Sequence, residues 1–457
     1  MSKINNITSG RVYQKVIEKE RAGKYLGKTV QIVPNVSNEI IREINSTVEK
    51  ESPDFCVVEI GGTVGDIESA IFLEAAREIS IKKPSCFCHV TYVPTLTLNE
   101  QKTKLTQQSV KSLMEVGINP SFIFARANEK LSNEARKKIA LFCNVAEENI
   151  ISAQNSDDIY QIPINFIEQN LDTSLLKNFN LTEIKTDFSQ WKEIIGRKKQ
   201  AKEKIKIAII GKYSKLKDAY VSIEQAFKHC EYYIPCNIEL DWIEAEEIEK
   251  INLCDYSGVL VPGGFGNRGV EEKIKAIKYS RENNVPFLGL CLGFQLATVE
   301  FARNILNLND ANSTEFNENT ENPVIHLLPN QNLDNMGATM RLGEKICLIK
   351  ENTLAEKIYN KPEIKERHRH RYEFNNSYIE KFKNADGIFS GVSKENLMEI
   401  FELPKSKHKF FIATQFHPEF TSRLENPSPI FLEFSKACLE HEKIKKFQFY
   451  HFPLRTF

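Results

Sequence analysis

An apolar run, Pro286-Phe287-Leu288-Gly289-Leu290, passes without a break into Cys291-Leu292-Gly293-Phe294-Gln295. A buried strand that turns straight into a helix at a Gly-x-Cys-x-Gly pentad belongs in a parallel sheet covered by crossover helices. Gly289 and Gly293 allow close backbone approach on both sides of the sharp turn. The cysteine between them sits at a helix N-terminus, where a thiol loses its proton more readily. The fold class expected is therefore α/β. Apolar strands at Ile205–Gly211, Gly258–Val261 and Phe410–Gln415, with helical stretches between them, extend the same layer.

A chain of 457 residues exceeds what one core usually supports, so a second domain is expected upstream. There, Phe55–Ile60 and Ser121–Ala125 read as buried strands and Lys130–Cys143 as an amphipathic helix, again a parallel α/β pattern. Between 171 and 204 the sequence turns polar, ending in Arg197-Lys198-Lys199-Gln200-Ala201-Lys202-Glu203-Lys204. The division expected is a first domain at 1–170, a linker at 171–204 and a second domain at 205–445. Basic and acidic residues each number 61, which provides no field for nucleic acid or an acidic membrane surface. No apolar run approaches the ~18 residues of a membrane helix, and no charged segment with an apolar signal core follows Met1. Ten cysteines are too sparse for a disulfide scaffold, so a reducing cytoplasm is the compartment expected.

Cys291 is the candidate nucleophile because a base stands downstream in Gln415-Phe416-His417-Pro418-Glu419, just after a predicted strand. A carboxylate at Glu419 is spaced to orient that imidazole. Val261-Pro262-Gly263-Gly264-Phe265-Gly266 offers backbone amides after another strand, and with the amide of Leu292 these suit an oxyanion hole. A cysteine, then His-x-Glu, in this order on an α/β domain resembles the class I glutamine amidotransferases, whose fold is flavodoxin-like. The resemblance implies thiolate attack on the glutamine side-chain amide and hydrolysis of the resulting acyl-enzyme.

The surroundings of this site resemble one family in particular. Gly263-Gly264-Phe265-Gly266-Asn267-Arg268-Gly269, Ala311-Asn312-Ser313-Thr314-Glu315-Phe316, Met340-Arg341-Leu342-Gly343 and Glu366-Arg367-His368-Arg369-His370-Arg371-Tyr372 are similar to CTP synthase. So, independently, are Val57-Val58-Glu59-Ile60-Gly61-Gly62-Thr63-Val64-Gly65-Asp66-Ile67-Glu68-Ser69 and Gln101-Lys102-Thr103-Lys104-Leu105-Thr106-Gln107 in the first half. The resemblance runs from about Ile7 to about Phe420. It implies a P-loop-like amidoligase domain that phosphorylates UTP with MgATP, and a glutaminase whose ammonia displaces the phosphate to give CTP.

On the matching positions the resemblance implies that Gly264, Leu292, Gln295, Glu315 and Arg371 bind glutamine, Arg371 as the clamp for its carboxylate. UTP or CTP would lie against Asp66, Ile67 and Glu68, with its triphosphate on Lys102, Thr103, Lys104, Leu105, Thr106, Gln107 and Lys138. Arg126, Asn155 and Ser156 would sit by the adenine of ATP, and Glu59 would be a Mg²⁺ ligand at a strand end. A hard cation wants carboxylate oxygen, and a triphosphate wants lysines and hydroxyls. Arg268 through Glu271 would belong to a lid that responds to GTP as allosteric effector. A homotetramer is the assembly implied.

The chain also departs from the family pattern. The family's glycine-rich phosphate loop with its lysine, and the aspartate that joins Glu59 on magnesium, are not found, and neither G-x-x-x-x-G-K-[ST] nor a near equivalent is expected anywhere in these 457 residues. The expectation is that these residues alone fail at the UTP kinase step. The readings left open are a partial chain, a truncated paralogue acting as a glutaminase, and a regulatory or structural subunit that co-assembles with complete CTP synthase. Leu105 stands where the family has proline, which frees one φ angle of the triphosphate loop. His368 and His370, set among arginines, are not expected to bind a metal, and Cys86 and Cys88 lack a second ligand pair at metal spacing.

Overall fold

The computed structural model describes residues 3–96, 100–182, 184, 186–198, 203–212, 220–327 and 340–451. They form two compact units, Met1–Ser189 and Gln190–Phe457. The stretch 171–204 is more than a tether where it is described. It holds helices Leu171–Asn178 and Ser189–Lys198. Leu171 packs with Phe122 and Ile151, so the first of these helices belongs to the core of the first unit. Ile194 and Ile195 are buried as well, while residues 183, 185 and 199–202 lie outside the described residues.

The first unit is built on three parallel strands, Cys88–Tyr92, Phe122–Ala127 and Ile150–Gln154, with Phe122–Ala127 in the middle. Helices Lys104–Glu115 and Asn133–Cys143 supply Val110, Ala135, Ile139 and Cys143 to a core with Ile123, Ala125 and Ile150. The second of these helices starts where expected chemically, because the Ser132 hydroxyl accepts from the amide of Ala135 at 3.1 Å. A separate core joins helices Ser9–Arg21, Ser37–Glu51 and Ile67–Lys82 through Val12, Val16, Ile40, Ile71 and Ala75.

One expected strand is absent. Phe55–Ile60 has no strand partner among the described residues, and Phe55 and Val57 are 56% and 93% exposed. An apolar run identifies a candidate strand, but only a neighbouring ladder makes it one. Glu59 therefore lies on an exposed segment without a strand ladder rather than at a strand end.

In the second unit nine strands form one sheet. From edge to edge they run Glu363–His370, Arg341–Ile349, Ile388–Ser393, Met398–Glu402, Phe411–Thr414, Phe287–Leu290, Gly258–Val261, Glu203–Gly211 and Cys236–Glu244. The last five are mutually parallel and the first four pair antiparallel. One face is covered by helices Val270–Glu282 and Leu292–Asn304. The other is covered by Val221–Cys230, Leu354–Tyr359 and Pro429–His451. This topology decides where chemistry can occur. In an open parallel sheet the carboxyl ends of adjacent strands border a crevice. Here the three adjacent strands ending at Val261, Leu290 and Thr414 lead directly into the glycine loop, Cys291 and His417.

Candidate active site

Cys291 sits at φ +51°, ψ −95° between strand Phe287–Leu290 and helix Leu292–Asn304. A non-glycine residue in that conformation costs roughly 1–3 kcal/mol, and the neighbours show what holds it there. The Cys291 amide donates to Thr414 O at 2.7 Å. A Cβ on Gly289 would lie 2.8 Å from the Gly293 carbonyl, and one on Gly293 would overlap the carbonyl oxygen of Val261. Both glycines are thus required by close backbone approach, as the pentad implied. The turn projects the thiol from the sheet's carboxyl end while leaving it only 3% exposed.

His417 follows strand Phe411–Thr414, and its amide donates to Arg367 O at 2.8 Å. Its Nδ1 lies 2.8 Å from Glu419 Oε1, so Nδ1–H donates to the carboxylate and Nε2 is left for the sulfur. Burial pulls the His417 pKa down. The charges of Glu419 and Cys291 and a hydrogen bond to each outweigh that, holding it well above its ordinary value. Such an imidazolium stabilises a thiolate beside it. Gly263 makes room for the pair, since a Cβ there would stand 2.8 Å from His417 Cε1 and 3.4 Å from Cys291 Cβ. Glu366 lies close by with its pKa raised to about 8, chiefly by burial, and accepts from the Thr421 hydroxyl at 2.8 Å. Glu419 is the carboxylate in hydrogen-bond contact with His417, so Glu419 acts on the imidazole.

The residues expected around glutamine surround this pair. Gly264 and Leu292 adjoin each other, a Cβ on Gly264 reaching Leu292 Cδ2 at 3.4 Å. Glu315 Oε1 accepts from the Gly266 amide at 2.8 Å, fixing the glycine loop. Burial raises the Glu315 pKa, and the Gly266 amide, Lys212 and Arg371 partly offset it. Arg371 lies 5.8 Å from the Phe265 ring centroid, on that same loop. Gln295 is about as buried as Cys291, and its Nε2 donates to Tyr372 O at 2.9 Å. Arg268 bridges Glu244 and Glu246 just before helix Val270–Glu282.

Some of the site was not singled out from the sequence. Gln415 Nε2 lies 3.7 Å from Cys291 Sγ, and the sulfur lies 3.8 Å from Arg369 O. Arg367 and Arg369 contribute here through backbone carbonyls, which no side-chain motif advertises. Gln415 stood inside the His-x-Glu string, but nothing in its spacing distinguished it from a strand residue.

In the first unit Arg126, Asn155 and Ser156 lie at the carboxyl ends of the neighbouring strands Phe122–Ala127 and Ile150–Gln154. Arg126 Nη2 donates to Asn155 Oδ1 at 2.9 Å, and Ser156 Oγ donates to Asp158 O at 2.8 Å. Lys102 pairs with Glu100 at 2.5 Å, and Lys138 lies close enough to Glu100 to lower its pKa further. Lys104 and Leu105 are exposed in the first turn of helix Lys104–Glu115. Thr103 and Thr106 point inward instead. Thr103 Oγ1 accepts from Gln107 Nε2 at 3.0 Å, and Thr106 Oγ1 lies 3.0 Å from Thr91 Oγ1. Asp66, Ile67 and Glu68 are exposed at the start of helix Ile67–Lys82. The loop before that helix turns on Gly62 and Gly65, both at positive φ. A near equivalent of the phosphate loop does occur, since Gly23–Thr29 comes one residue short of that spacing, but it leaves helix Ser9–Arg21 in a turn and no strand precedes it among the described residues.

Magnesium usually keeps several waters and takes one or two carboxylates beside substrate phosphates. Exposed Glu59 meets that modest demand, and no group of three His, Cys, Asp or Glu among the described residues could cage a metal. No helix among the described residues is long and apolar enough to cross a membrane.

Comparison with known proteins bears on both units. Residues 1–181 match the family model described as CTP synthase N-terminus, and residues 215–437 the one described as glutamine amidotransferase class-I. A CTP synthase of Archaeoglobus fulgidus is 49% identical over 446 residues, covering 96% of this chain and 83% of that protein. One from Thermococcus kodakarensis is 49% identical over 453 residues, covering 97% of this chain and 84% of that protein. The solved glutaminase domain of the Trypanosoma brucei enzyme, with acivicin bound, is 37% identical and has a TM-score of 0.48, covering 52% of this chain and 94% of that one.

Proposed function

The chain belongs to the CTP synthase family, and from that premise we propose that its second unit hydrolyses glutamine at Cys291 while its first unit uses the ammonia and ATP to convert UTP to CTP. The observation that carries the proposal is the convergence of Cys291, His417 and Glu419 at the carboxyl ends of adjacent parallel strands.

The chemistry follows from the geometry. The Cys291 thiolate attacks the glutamine side-chain carbonyl carbon, and the oxyanion that forms is stabilised by the amides of Gly264 and Leu292. His417 gives its Nε2 proton to the leaving nitrogen, which departs as ammonia and leaves a thioester. Water attacks the thioester, His417 takes the proton, and glutamate is released with the thiolate restored. Arg371 holds the glutamine carboxylate, and Glu315 keeps the glycine loop in register through the Gly266 amide. Gln295 would contact glutamine beside Cys291, with its Nε2 held by Tyr372 O.

In the first unit, UTP or CTP would rest its pyrimidine against Asp66, Ile67 and Glu68. Lys102, Lys104 and Lys138 would meet the phosphates, with Thr103, Leu105, Thr106 and Gln107 shaping that turn. Thr103, Thr106 and Gln107 do so through their hydrogen bonds. The γ-phosphoryl of ATP passes to the uracil O4. Ammonia then forms the C4–N bond as the C4–O bond breaks and phosphate leaves. Arg126, Asn155 and Ser156 would hold the adenine. Magnesium held by Glu59 would screen phosphate charge. No residue in this stretch of sequence is assigned to the ATP phosphates themselves.

GTP as effector would act on the Arg268–Glu271 segment, and a homotetramer working in the cytoplasm is the assembly proposed. An intact Cys291, His417 and Glu419 set runs against a purely structural scaffold. The test is stoichiometric. Purified chain with glutamine should release glutamate and ammonia in equal amounts, and absence of both would remove the glutaminase from the proposal.

A further inference from the structure

Strand Glu363–His370 touches the proposed glutaminase centre through its backbone, with Arg367 O accepting from the His417 amide and Arg369 O 3.8 Å from the Cys291 sulfur. Its alternate side chains Glu366, His368 and His370 are all buried. His368 and His370 lead into a row of ionisable groups for which the reaction above has no use.

Hydrogen-bond direction can be read along that row. His370 Nδ1 lies 3.1 Å from Tyr372 O, and a carbonyl only accepts, so Nδ1 carries a hydrogen. Neutral His370 then offers a lone pair at Nε2, which lies 2.9 Å from His368 Nδ1, so His368 donates from Nδ1. That leaves His368 Nε2 bare, 3.2 Å from Glu399 Oε2. As they stand the two atoms approach without the alignment of a hydrogen bond, neither has a hydrogen-bond partner elsewhere, and both are buried. Two lone pairs held together away from water would cost as much as an unmade hydrogen bond, so a proton must lie between them.

We propose that Glu399 and His368 share one proton, and that this proton completes a directed chain, Glu399 to His368 to His370 to the Tyr372 carbonyl, which positions the wall of the glutaminase centre. The chain reaches the nucleophile in two further contacts. Tyr372 O also accepts from Gln295 Nε2 at 2.9 Å, and Gln295 Nε2 lies 3.3 Å from Gln415 Oε1, whose amide group faces Cys291. Glu399 also accepts from the Gln415 amide at 2.8 Å through its own carbonyl oxygen. Glu399, His368 and His370 are positioning residues, since none touches the reacting atoms.

The groups facing Glu399 come from several strands. Arg341 Nη1 lies 2.6 Å from Oε1 and also 3.7 Å, through Nη2, from Glu395. Glu373 lies 3.9 Å from His370 Nδ1, and Cys347 and His417 stand further off. Burial is the largest influence on each member. It raises Glu399 to about 7 against the pull of Arg341, and lowers His368 and His370 to about 2 and 3. Burial likewise raises Glu373 to about 8. Each direction favours a carboxylic acid donating to neutral imidazoles. As pH rises past Glu399's value the shared proton is lost, and a bare carboxylate then faces a bare imidazole nitrogen.

The importance of this chain for turnover rests on the glutaminase reading; its proton inventory does not. Two-bond nitrogen–hydrogen NMR of the full chain labelled at histidine nitrogen, at about pH 6, should show both His368 and His370 as neutral Nδ1–H tautomers. Single substitutions at each position assign the signals. An Nε2–H tautomer or an imidazolium at either position would overturn the proposal. In the glutaminase assay, Glu399→Gln supplies a permanent N–H toward His368 and a carbonyl toward Arg341. It should keep kcat within about threefold and lose the part of the alkaline decline that Glu399 causes, leaving the part set by His417, whereas Glu399→Leu should cut kcat by roughly tenfold or more with little change in KM. If Glu399 were simply the ionised partner of Arg341, both variants would fail alike. That result would overturn the proposal while leaving Cys291 chemistry intact. Loss of glutaminase in the parent chain, with the tautomers as stated, would count against the function and not against the chain of protons.

Discussion

At the scale of single residues, the chemistry was the most legible part of the sequence. Cys291, His417 and Glu419 could be named because the elbow and the His-x-Glu spacing each state a role. What could not be read was support given by backbone, as at Arg367 O and Arg369 O, about eighty positions from Cys291 in sequence. Glu419→Gln tests the electrostatics directly. The Glu419 charge is the largest influence holding the His417 pKa up against burial, so its removal lets His417 lose its proton at lower pH. The alkaline limb of kcat/KM should move to lower pH, and kcat should fall by roughly a hundredfold or more. An unmoved limb would mean that Glu419 does not set the imidazole's charge. Glycines give a graded test. Gly263→Ala meets a movable ring, His417 Cε1, and should fold but lose most glutaminase activity. Gly293→Ala meets the fixed carbonyl of Val261 and should fail to fold, which circular dichroism and solubility report.

At the scale of elements, sequence patterns placed the core strands within a residue or two, because strands buried on both faces read as unbroken apolar runs. Gly258–Val261, Phe287–Leu290 and Phe411–Thr414 follow that rule, and Glu203–Gly211 follows it from Ile207 onward. Phe55–Ile60 carries the same pattern without a ladder and stays exposed. Strand Glu363–His370 is the opposite case. Its charged composition hid an edge strand whose alternate residues are buried, with Glu366, His368 and His370 pointing inward. That arrangement has a consequence for stability. Glu366, Glu373 and Glu399 have pKa values raised to about 8, about 8 and about 7, chiefly by burial. Each binds its proton more tightly folded than unfolded. Their contribution is therefore fully present below the ordinary carboxylate value of 4.5 and is lost as pH rises toward about 8. Thermal unfolding of the second unit should fall by several degrees between about pH 6 and pH 9, since roughly 2 kcal/mol moves Tm by about 4–8 °C in a unit of this size. Glu366→Gln should flatten part of that slope. A Tm that rises over the same range would contradict the burial argument.

At the scale of the whole molecule, the chain is an α/β protein of the CTP synthase family, with that family's N-terminal domain and a class I glutamine amidotransferase domain. The nucleotide residues are proposed from resemblance and not from spacing. Lys102, Lys104 and Lys138 by themselves look like any solvated basic surface, and two of the three are paired with Glu100 and Glu134. Calorimetry with UTP or CTP should show binding that Lys104→Ala weakens by about tenfold, a charge-assisted contact being worth roughly 1.5–3 kcal/mol. Equal affinity in the variant would remove Lys104 from the triphosphate site. The central claim is that one thiol releases the ammonia. Its most direct measurement is ammonia and glutamate formation from glutamine by the full chain, compared with Cys291→Ala under the same conditions. The account predicts steady release from the parent chain and none above background from the variant, with the two proteins unfolding at similar temperatures. Glutamine hydrolysis that persists in a well-folded Cys291→Ala chain would contradict it.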